Sequence, residues 1–144
     1  ADIDALAEGL ADGTIDAIAT DHAPHPAHDK ELPLDQAPPG MLGLETALGV
    51  SLAHLDLPVA EVVAALSWKP AAIAGVADRH GRPVAPGEPA NLTVFDPTAE
   101  WEVEPASLAS RSRNTPYVGR GLRGRVRHTL FAGVPTVVDG IAQF

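Results

Sequence analysis

Apolar residues recur at the three- and four-residue spacing of one helix face in three stretches of the chain. They lie within residues 3–10, 44–55 and 59–66. This spacing predicts amphipathic helices whose apolar faces pack on a sheet. Gly13 is placed to end the first helix. Glu45 would lie in the first turn of the second helix, where a carboxylate complements the helix dipole.

A different pattern occupies residues 15–20, where the run IDAIAT is apolar at nearly every position. Such a run, with turn residues on both sides, predicts a strand buried on both faces of a parallel sheet. Asp21 falls where this strand ends. Pro24 and Pro26 prevent an ordinary continuation as helix or central strand. They therefore place three histidines on an irregular loop, where active sites of parallel α/β folds lie: His22, His25 and His28.

The second half of the chain has the composition of a β domain. Near residues 78–83 the helix-forming residues give way to glycine, proline and β-branched residues. Short strands separated by turns are predicted at 92–96, 101–103, 126–131 and 136–138. This pattern is typical of an antiparallel sandwich. We therefore predict an α/β portion over residues 1–78 and a β-sandwich portion over residues 79–144.

Composition narrows the class of protein. The 144 residues are 45% hydrophobic, which is enough for a real core. The absence of cysteine excludes disulfides and thiolate metal sites and fits a reducing cytoplasm. No apolar run approaches the roughly 20 residues that span a bilayer, and no signal peptide is visible, so we expect a cytoplasmic protein with no membrane partner.

The charge is unevenly distributed, although the formal net charge is −9. Residues 105–144 contain six arginines and a single acidic residue, Asp139. A basic stripe can mark a nucleic-acid interface. No interleaved aromatic residues or nucleic-acid motif accompany this one. We therefore interpret the arginines as solvated strand faces and as ion-pair partners of the acidic first part, and we expect no nucleic-acid partner.

Two runs of sequence carry a resemblance to a known family. Residues 19–25 (ATDHAPH) and 37–46 (APPGMLGLET) resemble the last barrel strand and the following loop of class I dihydroorotases, in the amidohydrolase superfamily. Hydantoinases and allantoinases share the Thr/Ser-Asp-His core but usually differ after it, so residues 23–25 favour dihydroorotase. The resemblance implies the C-terminal part of a (β/α)8 TIM-like barrel, followed by part of a small β-sandwich domain. Whole members are much longer, so we interpret the chain as a C-terminal fragment.

The resemblance also implies a reaction and its residues. Dihydroorotases catalyse the reversible, Zn²⁺-dependent cyclisation of N-carbamoyl-L-aspartate to L-dihydroorotate in de novo pyrimidine biosynthesis. Asp21 would bind the metal, one or two Zn²⁺ ions per site, and carry a proton to the leaving nitrogen. His25 would bind the substrate carboxylate, while Pro39 and Gly40 would contact substrate through the main chain. The family often has Phe where this chain has Pro39, which removes an aromatic ring and an N–H donor.

Each of these residues also has an ordinary interpretation. A lone aspartate after a strand is usually a turn former or helix cap. His25 could brace the loop through a backbone carbonyl, and His22 is expected to be a structural neighbour. Residues 29–39 are long and proline-rich, and they either close over bound substrate or form a static surface loop.

Two other functions remain open. One is another cyclic amidohydrolase, such as a hydantoinase or allantoinase. The other is a non-catalytic dihydroorotase homologue that acts as a scaffold for aspartate transcarbamoylase. The remaining metal ligands of the family lie on barrel strands outside these residues, so the chain alone is expected to be inactive and to bind metal weakly. Its partners would be the rest of the enzyme, a small-molecule substrate, and a second copy or aspartate transcarbamoylase.

Overall fold

A computed structural model describes residues 2–143 as a mixed α/β fold, with helices in the first half and antiparallel strands in the second. The helices are α1 (Asp2–Asp12), α2 (Ala27–Lys30), α3 (Ala47–His54), α4 (Val59–Leu66) and α5 (Trp68–Ile73). The strands are β1 (Leu92–Glu102), β2 (Gly121–Phe131), β3 (Val134–Val138) and β4 (Ile141–Ala142). Every helix in residues 2–143 is too short or too polar to cross a lipid bilayer.

The three helices predicted from apolar spacing are present as α1, α3 and α4. Gly13 follows α1 with φ +83°, a conformation that glycine adopts without strain. The role predicted for Glu45 is wrong, because α3 begins only at Ala47. The Glu45 carboxylate instead accepts hydrogen bonds from the N–H groups of Ala109 at 2.8 Å and Ser110 at 3.0 Å.

The apolar face of α1 does not pack on a sheet within the described residues. Ile3 is 81% exposed and Leu6 is 58% exposed. Only Gly9 of this helix is buried, and the N–H of Ile15 donates to its carbonyl at 2.7 Å. The described sheet packs on α3 instead. The spacing thus predicted the helix correctly and its packing partner wrongly.

The predicted strand at residues 15–20 is not formed in the described chain. Residues 16–20 belong to no helix or strand, and Asp16 and Ala19 are exposed. The N–H of Ile18 donates to the Ala65 carbonyl at 2.9 Å. A strand requires a neighbour that pairs with it along its length. Here the end of α4, which is a helix, provides that one contact.

The strands form a single sheet of order β1-β2-β3-β4, with every neighbouring pair antiparallel. Leu92 pairs with Leu130 at one end of β1, and Glu102 pairs with Gly121 at the other. The segments predicted separately at 92–96 and 101–103 are therefore largely one strand with irregular pairing in its middle. A sandwich needs two sheets, and residues 2–143 contain a single sheet.

The main core of the described chain joins its two halves. Its buried members come from the segment before α3 and from the region around β1 and β2: Leu42, Val103, Leu108 and Leu122. Val50, Trp101 and Tyr117 pack against them. The division predicted between residues 78 and 79 remains a prediction, because this core includes residues from both sides of it.

Candidate functional site

The loop that follows residue 20 and the loop that precedes α3 run side by side. His22 and Met41 form a parallel bridge, and the N–H of Ala23 donates to the Met41 carbonyl at 2.9 Å. This pairing aligns segment 21–25 with segment 38–44. All four residues that the sequence predicts for the site lie in these two segments.

His22 ties the two segments together through its ring. Its Nδ1 accepts hydrogen bonds from the N–H of Gly43 at 3.1 Å and of Leu44 at 3.4 Å. A nitrogen that accepts carries a lone pair, so the proton of the neutral ring lies on Nε2. Gly43 fits here because a Cβ on it would lie 2.8 Å from the carbonyl oxygen of Thr20. His22 therefore braces the backbone at the closest approach of the two segments.

Asp21 lies at the start of the first segment in a left-handed backbone conformation, with φ +44°. Aspartate is one of the few residues that adopt this conformation at modest cost. Residues held in such regions cluster at active sites. The side chain is exposed, and its carboxylate makes no hydrogen bond or ion pair with residues 2–143. Its oxygens are therefore open to a metal ion or a substrate.

His25 and Gly40 lie against each other across the two segments. Gly40 has φ +108°, and a Cβ built on it would lie 2.6 Å from Ala23 Cβ and 3.3 Å from His25 Nε2. Only glycine allows the backbone to approach the imidazole this closely. The main-chain N–H of His25 donates to Asn114 Oδ1 at 3.0 Å, which leaves the imidazole as its remaining donor.

Lys30 holds the backbone on both sides of Pro39. Its Nζ donates to the carbonyl of Pro38 at 2.7 Å and to the carbonyl of Gly40 at 2.9 Å. Pro39 itself is exposed and has no N–H to offer. The end of segment 29–39 is thus anchored, while Leu34 in its middle is 96% exposed.

The short helix α2 corrects the prediction that residues 22–28 form an irregular loop. Pro26 precedes it, and the fixed φ of proline suits the start of a helix as well as it suits a loop. His28 lies on this helix with its side chain 81% exposed and its Nε2 3.3 Å from Asp29. The structure therefore does not bring His28 to His25 and Gly40.

Asn114 belongs to this site, and the sequence interpretation did not include it. Its side-chain amide contacts the main chain of both segments, at His25 and Ala23 on one side and at Gly40 on the other. The available signal was a long stretch, residues 104–125, that contains Asn114 and lies between two predicted strands without a predicted element of its own. Connections of that length are often functional.

Asp21 has the chemistry of one metal ligand. Its exposed carboxylate oxygens are hard donors of the kind that Zn²⁺ accepts. Across the described residues, no group of three His, Cys, Asp or Glu side chains converges to hold a metal ion. Asp21 therefore fits a metal site as one member of a ligand set, and zinc itself stays a prediction.

The larger groove of the described chain lies elsewhere. It encloses about 810 Å³ and is lined by residues near the start of α3 and across the strands, among them Leu44, Trp101, Val126 and Ile141. None of the predicted site residues lines it. The predicted site residues thus lie on the paired segments and not in this groove.

Comparison with known proteins agrees with the motif. Residues 1–136 match the amidohydrolase family. A dihydroorotase of Streptomyces coelicolor is 55% identical over 143 residues, which is 96% of this chain and 33% of that protein. A dihydroorotase of Mycobacterium tuberculosis is 49% identical over 140 residues, 94% of this chain and 32% of that protein. The chain thus spans about a third of the length of these relatives.

A solved structure with a similar fold extends the comparison. A D-hydantoinase (dihydropyrimidinase) from Thermus sp. superposes with a TM-score of 0.86 at 26% identity. The match covers 97% of this chain and 32% of that one. The predicted resemblance to amidohydrolases, and to dihydroorotases among them, is confirmed.

Proposed function

The chain belongs to the amidohydrolase family, and from this premise we propose that it is the C-terminal part of a dihydroorotase. The whole enzyme would cyclise N-carbamoyl-L-aspartate reversibly to L-dihydroorotate, the ring-closing amide step of pyrimidine biosynthesis. The observation that carries this proposal is the side-by-side pairing of the ATDHAPH and PPGMLGLE segments, which bring His25 against Gly40. The 55% identical dihydroorotase supports it.

In this proposal Asp21 moves the proton. In the hydrolytic direction its carboxylate would hold a proton at one oxygen and deliver it to the amide nitrogen as that nitrogen leaves. Its carboxylate is exposed and makes no hydrogen bond within residues 2–143, so both of its oxygens are open to contact with substrate. Asp21 would also be one ligand of Zn²⁺, which, when bound, supplies Lewis-acid polarisation of the reacting carbonyl.

His25 and Gly40 would form the site for the substrate carboxylate. The main-chain N–H of His25 is taken by Asn114, so its imidazole N–H is the donor that remains. The Gly40 carbonyl accepts from Lys30 at 2.9 Å and from Asn114 at 3.4 Å. Its N–H donates to no acceptor in the described chain. Two adjacent donors next to the Lys30 ammonium suit an anion.

Holding the carboxylate would position the rest of the substrate, which is how binding groups contribute to the rate. Pro39 has no N–H, so any contact there would use its carbonyl or its ring.

We further propose that residues 1–78 form the last part of a (β/α)8 barrel and that residues 79–144 complete a β-sandwich with strands from elsewhere. The likeness of 97% of this chain to the Thermus hydantoinase supports a fold shared with that protein.

The test compares three substrates with the zinc-loaded, full-length protein: dihydroorotate, hydantoin and allantoin. We expect turnover of dihydroorotate and, for Asp21→Asn, a loss of kcat of about 10³-fold, in the usual range for removing a general acid or base. Asp56→Asn is the matched control, because Asp56 is also exposed and lies after α3, outside both site segments. Its kcat should stay unchanged.

The same assay distinguishes the rival functions. Faster turnover of hydantoin would favour a hydantoinase, a candidate that the Thermus structure supports. No turnover of any of the three would favour the non-catalytic scaffold for aspartate transcarbamoylase. Full activity of Asp21→Asn would reject the role of Asp21. The 144-residue chain alone should show no turnover and substoichiometric zinc, because these residues provide one of the metal ligands.

A further inference from the structure

Asn114 reaches the candidate site from a distant part of the chain. It follows His25 by 89 residues, yet its Oδ1 accepts the main-chain N–H of His25 at 3.0 Å. Its Nδ2 donates to the carbonyl of Ala23 at 2.8 Å. The amide therefore binds the backbone on both sides of Pro24. It replaces the regular pairing that a proline-containing segment lacks.

The same residue also holds the second segment. Its Nδ2 lies 3.4 Å from the carbonyl of Gly40, and its own main-chain carbonyl accepts the N–H of Leu42 at 3.0 Å. Asn114 thus contacts segments 21–25 and 38–44 at once. The His25 N–H and the Ala23 carbonyl have the Asn114 amide as their partner within the described residues, so losing this amide would leave both of these partly buried groups unpaired.

These bonds act where the two segments are closest. Gly40 approaches His25 so tightly that a Cβ would lie 3.3 Å from the imidazole Nε2. The distance between the imidazole and the Gly40 N–H therefore depends on how the backbones of Ala23, His25 and Gly40 are held. Asn114 binds all three.

We propose that Asn114 is a positioning residue for the substrate carboxylate, an inference that rests on the proposed function. It sets the separation of the His25 imidazole and the Gly40 N–H, and it acts through them without contacting substrate. Its loss should weaken binding of the carboxylate and leave the proton transfer at Asp21 intact. A purely structural role would instead reduce the folded fraction, which lowers apparent kcat at constant KM.

Asn91 provides the matched control. Its side chain also accepts one main-chain N–H, from Ala132 at 2.7 Å, and donates to one carbonyl, that of Arg79 at 3.2 Å. It lies immediately before β1, and these partners lie outside both site segments. Asn91→Ala therefore removes the same kinds of hydrogen bond from a place where the proposal expects no kinetic effect.

The experiment measures kcat and KM for dihydroorotate with the full-length enzyme. Asn114→Ala should raise KM about tenfold or more and change kcat little, as expected when a substrate-positioning contact is misplaced. Asn91→Ala should leave KM at the wild-type value. Should Asn114→Ala fail to fold, Asn114→Asp keeps the size of the side chain and the acceptor for His25 but loses the donor, and the same rise in KM is expected.

Hydrogen exchange of the same proteins gives a readout that needs no activity. Asn114→Ala should speed exchange of the main-chain amides of Ala23 and His25 in segment 21–25 and leave those of β2 at the wild-type rate. An inactive wild-type enzyme would refute the proposed function, while exchange would still decide whether Asn114 holds the segment. An active wild type with unchanged KM in Asn114→Ala, whatever the exchange, would overturn the positioning role alone.

Discussion

The β1–β2 pair and the two paired site segments are held together in different ways. The strands are joined by main-chain pairing along 11-residue elements, and Val103 and Leu122 are buried beside them. The site segments share one backbone bridge, and the other cross-contacts come from single side chains such as His22 and Asn114. A ladder survives the loss of one member, whereas the site has few contacts to replace a lost one.

Backbone strain is also distributed differently in the two regions. At the two hairpins of the sheet, left-handed residues occur as consecutive pairs: Ala132-Gly133 and Asp139-Gly140. Two consecutive positive φ angles match the twist of a two-residue hairpin. In the site, Asp21 is left-handed without a following glycine, and Gly40 has φ +108°. The hairpins thus use such residues to reverse the chain, and the site uses them to bring functional groups together.

The largest expected effect on folding is in the sheet region. Leu122 is 5% exposed and belongs to the shared core. Leu122→Ala should lower the free energy of unfolding by about 2–5 kcal/mol, because it leaves a cavity. Thermal melting of the full-length protein measures it, and Leu34→Ala, at a 96% exposed position, is the control. The kcat of folded Leu122→Ala should equal that of the wild type. Equal melting temperatures of Leu122→Ala and Leu34→Ala would contradict the expected role of Leu122 in the core.

The next largest effect distinguishes two consequences of replacing a glycine: backbone strain at a positive φ and collision of the new Cβ with neighbouring atoms. Gly40→Ala should lower the free energy of unfolding by about 1–3 kcal/mol and raise KM, because its Cβ collides with Ala23 and displaces His25. Gly119→Ala is matched in having positive φ, +74°, with no atom within 4 Å of the new Cβ. Melting curves and KM of the two variants test this. A normal KM for Gly40→Ala would show that the close approach to His25 does not matter.

The smallest effect comes from an exposed ion pair before β1 that neither region depends on. Arg82 donates two hydrogen bonds to the Glu88 carboxylate, which hold the pKa of Glu88 below its usual value. Because the pKa is lower in the folded state, this stabilisation is present above the unfolded pKa, about 4.3. It is lost as pH falls through the lower, folded pKa.

Arg82→Gln should therefore reduce stability slightly at neutral pH. This reduction should disappear in acid, where Glu88 is protonated in both proteins. The effect is small because solvent screens exposed pairs. The measurement compares the melting temperatures of wild type and variant from about pH 3 to about pH 7, a range that includes the unfolded pKa of Glu88. A gap between the two proteins that is constant at every pH would contradict the assignment.

Local patterns predicted the elements better than their partners. Apolar spacing predicted the positions of α1, α3 and α4 correctly, since the three-to-four-residue period matches the repeat of a helix. It did not predict α2, because proline fits both a loop and a helix start. It divided β1 into two strands, because the irregular pairing between Asp96 and Glu100 resembles a turn in sequence.

The motif around Asp21 placed His25 and Gly40 in one loop region, and the fold brings them into contact. The side chains that arrange this contact were not evident. Glu45 binds the main-chain N–H groups of Ala109 and Ser110, which follow it by 64 and 65 positions. Asn114 binds the N–H of His25, which precedes it by 89 positions. Nothing in the short-range pattern around an asparagine or a glutamate records which distant backbone group it will meet.

Residue order was thus sufficient for the family, for the helical segments and for the chemical character of the loop after residue 20, because each follows from neighbours along the chain. Tertiary structure alone decided that residues 15–20 have no strand partner among residues 2–143 and that Asn114 joins both site segments. The physical reason is that a hydrogen bond is directional and short. Its formation depends on coordinates that the whole fold sets, whereas helix formation follows largely from the local periodicity of apolar residues.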